Sequence, residues 1–141
     1  MKSRRDFIRT GCMHCAGMLG ISMLLQGCGT SVQLFKTNTR NDSVLVPVSA
    51  FEDGKNMVVV RVSGLENDIL LVKKEDHYNA LNLRCTHEGY GLTPTSKQIV
   101  CSAHGSTFDF DGNVLKEPAL KPLKKFNTEI IDNNTIIIHL T

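Results

Sequence analysis

From Val44 to Leu140 the apolar positions fall in short, β-branched runs broken by Gly, Asn, Asp and Lys. Met57–Val62 follows a turn signal at Asp53-Gly54, Ile69–Val72 is closed by Lys73-Lys74, and Tyr78–Leu83 leads straight into Cys85. Ile99-Val100 leads into Cys101, and Phe108–Phe110 precedes an Asp111-Gly112 turn. Lys125–Ile131 and Thr135–Leu140 flank Asp132-Asn133-Asn134, which predicts a hairpin. Downstream of Cys28 no stretch sustains the 3.6-residue period of an amphipathic helix, and no internal repeat is present. The predicted fold class is all-β, a sandwich or open barrel.

The first residues follow a different pattern. Ser3-Arg4-Arg5-Asp6-Phe7-Ile8 fits a twin-arginine export signal, and an apolar, glycine-containing stretch runs from Thr10 to Leu25. Leu25-Gln26-Gly27-Cys28 is similar to a bacterial lipobox, which would make Cys28 the lipid-carrying first mature residue. A retained N-terminal anchor is the alternative, although the apolar stretch is short for a membrane span of roughly 20 residues. Cys12 and Cys15 have C-x-x-C spacing, but they sit inside this targeting stretch and read as small apolar filler. Residues 1–27 are therefore expected to be a signal, residues 28–42 a flexible polar tether, and residues 43–141 a folded domain. The chain is expected on the periplasmic side of a bacterial membrane.

Composition changes this picture little. A chain of 141 residues supports one small domain plus extras, and with 6% aromatic residues and no Trp its core must rest on Val, Ile and Leu. The net charge of +2 comes from the N-terminus: without residues 1–27, 12 basic and 13 acidic residues remain, a net of −1. Nucleic-acid binding, which needs a clustered basic surface, has no footing.

The candidate chemistry lies in two clusters, Cys85-Thr86-His87 and Cys101-Ser102-Ala103-His104, separated by 13 residues. Two thiolates and two imidazoles suit an iron–sulfur centre in which one iron takes both Cys and the other both His. The same set can bind tetrahedral zinc, but zinc fingers group Cys with Cys and His with His, whereas here each Cys is paired with a His. Both clusters follow predicted strands. Gly89, Gly91 and Gly105 beside them allow close backbone approach to inorganic sulfide.

Cys85-Thr86-His87-Glu88-Gly89-Tyr90 and Cys101-Ser102-Ala103-His104-Gly105-Ser106-Thr107-Phe108-Asp109 together resemble the Rieske 2Fe–2S family, closely over residues 80 to 120. The resemblance implies antiparallel sheets with a small cluster-binding subdomain formed by two loops. It implies one 2Fe–2S cluster per chain, with Cys85 and Cys101 on a buried iron and His87 and His104 on an outer iron near the surface. Ser106 matches a residue that hydrogen-bonds the cluster, and Pro118-Ala119 matches a segment that folds over it. High-potential members also carry a disulfide, whose positions here are Tyr90 and Ala103, and a Tyr donor, replaced here by Phe108. A donor to the cluster favours its reduced, more negative state. At about 1.5–3 kcal/mol per such bond and about 59 mV per 1.4 kcal/mol, losing the Tyr should lower the potential by roughly 60–130 mV. A middle or low value within the family range of about −150 to +300 mV is expected.

The function this implies is one-electron transfer by an exported, membrane-tethered protein with no catalytic site of its own. Its partner would be a redox protein or a quinol-oxidising complex docking at the His87/His104 edge, as a subunit of a respiratory or periplasmic oxidoreductase. Two alternatives remain: a ferredoxin of this family supplying an oxygenase, and a zinc-stabilised, non-redox lipoprotein.

Overall fold

A computed structural model describes residues 32–52 and 54–141. The signal at residues 1–27 and the lipidation candidate Cys28 lie outside the described residues. Seven strands form one large sheet: β1 (Gln33–Asn38), β2 (Ser43–Pro47), β3 (Met57–Ser63), β4 (Ile69–Lys73), β5 (Tyr78–Asn82), β10 (Lys125–Ile131) and β11 (Thr135–His139), in the order β1-β3-β4-β5-β10-β11-β2. Four short strands, β6 (Thr93–Pro94), β7 (Ile99–Val100), β8 (Thr107–Phe108) and β9 (Val114–Lys116), make a second sheet in that order. Among the described residues the fold is all-β apart from one 3-10 turn at Val48–Phe51.

The hydrophobic runs explain the layering. Ile69 to Val72 is apolar without alternation because β4 is buried on both faces. Ile69 and Leu71 join Val44, Val46, Val58, Val60, Ile136 and Ile138 in one core, where the large sheet curls on itself. Leu70 and Val72 face the other way and join Leu81, Leu83, Ile99, Phe108 and Leu123 in a second core beneath the small sheet. Fully burying each such side chain contributes roughly 1.5–3 kcal/mol. Cys85 and Cys101 belong to the second core. At Asp132 and Asn133 φ is +52°, the left-handed backbone of a tight hairpin between β10 and β11.

The expectation of a tether over residues 28–42 is corrected by β1. Gln33–Asn38 pairs in parallel with β3, from Gln33 opposite Val58 to Asn38 opposite Ser63. Phe35 and Thr37 are half-buried between exposed neighbours, and Phe35 packs against the first core. A period of two with one large apolar anchor suffices because β3 would otherwise present an unpaired edge. The sheet is therefore mixed rather than wholly antiparallel.

This register also fixes polarity. Leu83 N–H donates to the Asp68 carbonyl (2.9 Å), so Cys85 leaves the sheet at the end where β4 begins and β1 finishes. Gln33 stands at the opposite end.

Candidate metal centre

Cys85 and Cys101 each open a six-residue loop with the same backbone pattern. Cys85 N–H donates to the Tyr90 carbonyl (2.7 Å) and Gly89 N–H to the Cys85 carbonyl (2.8 Å). Cys101 N–H donates to the Ser106 carbonyl (2.9 Å) and Gly105 N–H to the Cys101 carbonyl (3.0 Å). The fifth residue must turn left-handed for the chain to close, and both positions are Gly, with φ of +80° and +81°. At Gly89 the fit is tight as well, since an added Cβ would lie 3.1 Å from the Arg84 guanidinium. Arg84 bridges Gly91 at the base of the first loop and pairs with Glu66 (3.1 Å).

The two thiols are buried, 3% and 1% exposed, and unbridged. The two imidazoles are exposed and meet edge to face with ring centroids 5.0 Å apart. One ring sits at the third position of its loop and the other at the fourth, yet the two repeated turns bring them together. A ring nitrogen of each His and a carboxylate oxygen of Glu88 lie within 4.8 Å of one another. Glu88 approaches His104 Nδ1 at 3.7 Å. Tyr90 packs edge-on against His104 at 5.6 Å.

Residues 117–121 strap the loops together. Thr86 Oγ1 donates to the Lys121 carbonyl (2.6 Å). Ala119 N–H donates to Ser106 Oγ (3.0 Å), and both residues are fully buried. Ser106 thereby accepts from the strap and keeps its own O–H to donate. Phe108 is fully buried and has no polar atom to offer. His77 bonds Asp76 and His139 meets Ser43, each away from the two loops.

The donor set fits a 2Fe–2S cluster: two thiols in an apolar layer beneath two exposed imidazoles. The sequence points to the four ligand candidates, to Ser106 and to the strap. It gives no notice of Arg84 against Gly89 or of Thr86 holding Lys121, because exposed polar residues beside a motif carry no signal of their partners.

A family model for the Rieske [2Fe-2S] domain matches residues 42–127, more than half of the chain. The chain belongs to the Rieske family. Its cofactor is accordingly one 2Fe–2S cluster. It is similar to the cytochrome b6-f complex iron-sulfur subunit 3 of Nostoc sp. (strain PCC 7120), with 38% identity over 54% of this chain and 46% of that protein. Subunit 2 of the same complex in Trichormus variabilis matches at 29% identity over 57% of this chain and 47% of the relative. The chain thus spans about half the length of the curated relatives it matches. Among solved structures, the plasma membrane Rieske protein of Synechocystis PCC 6803 superposes with a TM-score of 0.55 and 27% identity, over 67% of this chain and 97% of that one. A complex of oxygenase and ferredoxin in carbazole 1,9a-dioxygenase matches with a TM-score of 0.53 at 19% identity, over 71% of this chain and 95% of that one, and shares the Rieske fold.

Proposed function

We propose that this Rieske protein is a one-electron carrier in which Cys85 and Cys101 ligate the inner iron and His87 and His104 the outer iron. One observation carries the reading: both thiols are buried while both imidazoles, 5.0 Å apart, are exposed on one face. When bound, the cluster supplies reversible one-electron chemistry, with its more positive potential set by imidazole ligation on one iron. The chain's own residues do the rest. The second core excludes water from the Cys side, Ser106 offers a hydroxyl to the cluster, and the strap fixes that hydroxyl through Ala119. The exposed His87 and His104 edge is where a redox partner, or a quinol-oxidising complex such as those its relatives are named for, would dock.

The export signal and Cys28 support a protein held at the periplasmic face by lipid or by an N-terminal anchor. The fold agrees with such tethering, because the described chain enters at the sheet end opposite the cluster loops. No helix among the described residues is long and apolar enough to cross a membrane. Mass analysis of the mature N-terminus from membranes should find diacylglyceryl-Cys28; a full-length, unmodified N-terminus would support the anchor instead.

Redox titration of anaerobically purified holoprotein tests the carrier reading. One electron per chain should be taken up reversibly, at a middle or low potential for the family. Phe108→Tyr, by adding a donor, should raise it by roughly 60–130 mV. A colourless zinc protein without redox activity would overturn the reading.

A further inference from the structure

Beside the first loop lies an open concavity of about 600 Å³, lined by Arg84, Thr86, Glu88, Gly89, Lys121 and Lys124, with Cys85 in its wall. Asn82, Arg84 and Lys124 also line an adjoining hollow of about 210 Å³ that reaches Phe126 and Leu140. The two make one groove running from the large sheet to the cluster loop.

The cations in it are placed by the fold. The Lys121 carbonyl accepts from Thr86 Oγ1 (2.6 Å), and the Lys124 carbonyl accepts from Asn82 N–H (2.9 Å). Lys124 Nζ lies 4.8 Å above the Phe126 ring. Glu66 pairs with Arg84, but among the described residues no carboxylate pairs with Lys121 or Lys124. Glu88, which also lines the groove, approaches His104. Glu66 and Glu88 thus line the groove beside Arg84, Lys121 and Lys124, and its excess positive charge lies at the two lysines. Residues 28–141 carry 12 basic and 13 acidic groups, so net charge gives the molecule no attraction for an acidic surface.

We infer that this groove is a docking site for an acidic redox protein, which it seats against the loop bearing Cys85 and His87. Carboxylates of the partner would meet Lys121 and Lys124 and bring its redox centre beside the imidazole edge. Complementary charge at such a rim acts chiefly on encounter, raising association rates in a salt-dependent way. The inference rests on the electron-carrier reading. The step is a single electron leaving the reduced cluster and reducing Cu²⁺ to Cu⁺ in the probe protein used below; no proton or group moves.

Stopped-flow oxidation of reduced holoprotein, by an acidic blue-copper protein and separately by a basic c-type cytochrome, tests it. The acidic oxidant should react faster at low salt and slow as salt rises. Lys121→Glu combined with Lys124→Glu should slow the acidic oxidant by about tenfold or more at low salt and flatten its salt dependence. Lys121→Gln combined with Lys124→Gln should give an intermediate rate, and Lys125→Glu, outside the groove, should change it little. Potentials measured for each variant separate a docking effect from a change in driving force. Equal rates for the two oxidants, a faster basic one, or an unchanged double variant would overturn the docking site while leaving the carrier intact. Failure of both oxidants to react would instead overturn the carrier reading. Salt-sensitive binding to phosphatidylglycerol vesicles, lost in the double Glu variant with oxidation rates unchanged, would assign the groove to a lipid surface and overturn the proposal.

Discussion

The two cluster loops share one backbone turn and differ in what supports it. In both, Cys donates to the sixth residue and accepts from the fifth. The sixth residue of the first loop is Tyr90, 52% exposed and leaning on His104. Its counterpart in the second loop is Ser106, wholly buried and bonded to the strap. The first loop is braced from outside, by Arg84 over Gly89 and by Thr86 on Lys121. The second is braced from within. The same turn thus ends in one loop on an exposed ring and in the other on a buried hydroxyl bonded to the strap.

The largest effect should come from removing a ligand. His104→Ala or His87→Ala should abolish the native cluster, read as lost iron and lost visible absorbance. An unchanged spectrum in either would break the equivalence of the loops.

Next come the sixth positions. Ser106→Ala strands a buried Ala119 N–H and should cost about 1–3 kcal/mol in holoprotein unfolding while lowering the potential. Tyr90→Ala, at an exposed site, should fall within about 0.5 kcal/mol. Equal costs would mean that both loops are supported alike.

The glycines sharpen the contrast further. Either Gly→Ala change forces a left-handed alanine, at about 1–2 kcal/mol. Gly89→Ala should cost more than Gly105→Ala, since only the former meets a neighbour, Arg84, at 3.1 Å. Urea unfolding of the two variants side by side gives the order.

The smallest effect lies where the small sheet rests on the large one. Lys74, 2.9 Å from Asp111, hydrogen-bonds its carboxylate and holds the carboxyl below the usual carboxylate range. Because the folded state favours the ionised form, this stabilisation is present above the ordinary carboxyl value and is lost as pH falls through the lowered one. With the Asp111 side chain 51% exposed, screening keeps it below about 1 kcal/mol. Asp111→Asn should therefore flatten the acid limb of the stability curve only slightly.

Much of the fold was legible in the runs of Val, Ile and Leu. Met57–Val62, Ile69–Val72 and Lys125–Ile131 became strands within a residue of their expected bounds because β-branched runs between turn residues admit little else. Four strands were not foreseen: Gln33–Asn38, Ser43–Pro47, Thr93–Pro94 and Val114–Lys116. Gln33–Asn38 reads as polar tether because its one strong anchor is Phe35, and only the open edge of β3 makes it a strand. Val114–Lys116 is too short to show a period. At the site, Cys and His announce themselves by type and spacing. The long-range bonds that hold them, Thr86 to Lys121 and Ala119 to Ser106, join residues 35 and 13 apart and leave no local pattern.

Pulsed EPR of the reduced, anaerobically prepared holoprotein reads the ligation of the outer iron itself. The spectrum should show a paramagnetic 2Fe–2S centre coupled to two imidazole nitrogens. A reduced iron–sulfur signal with no nitrogen coupling, or iron-free protein with no signal, would contradict it.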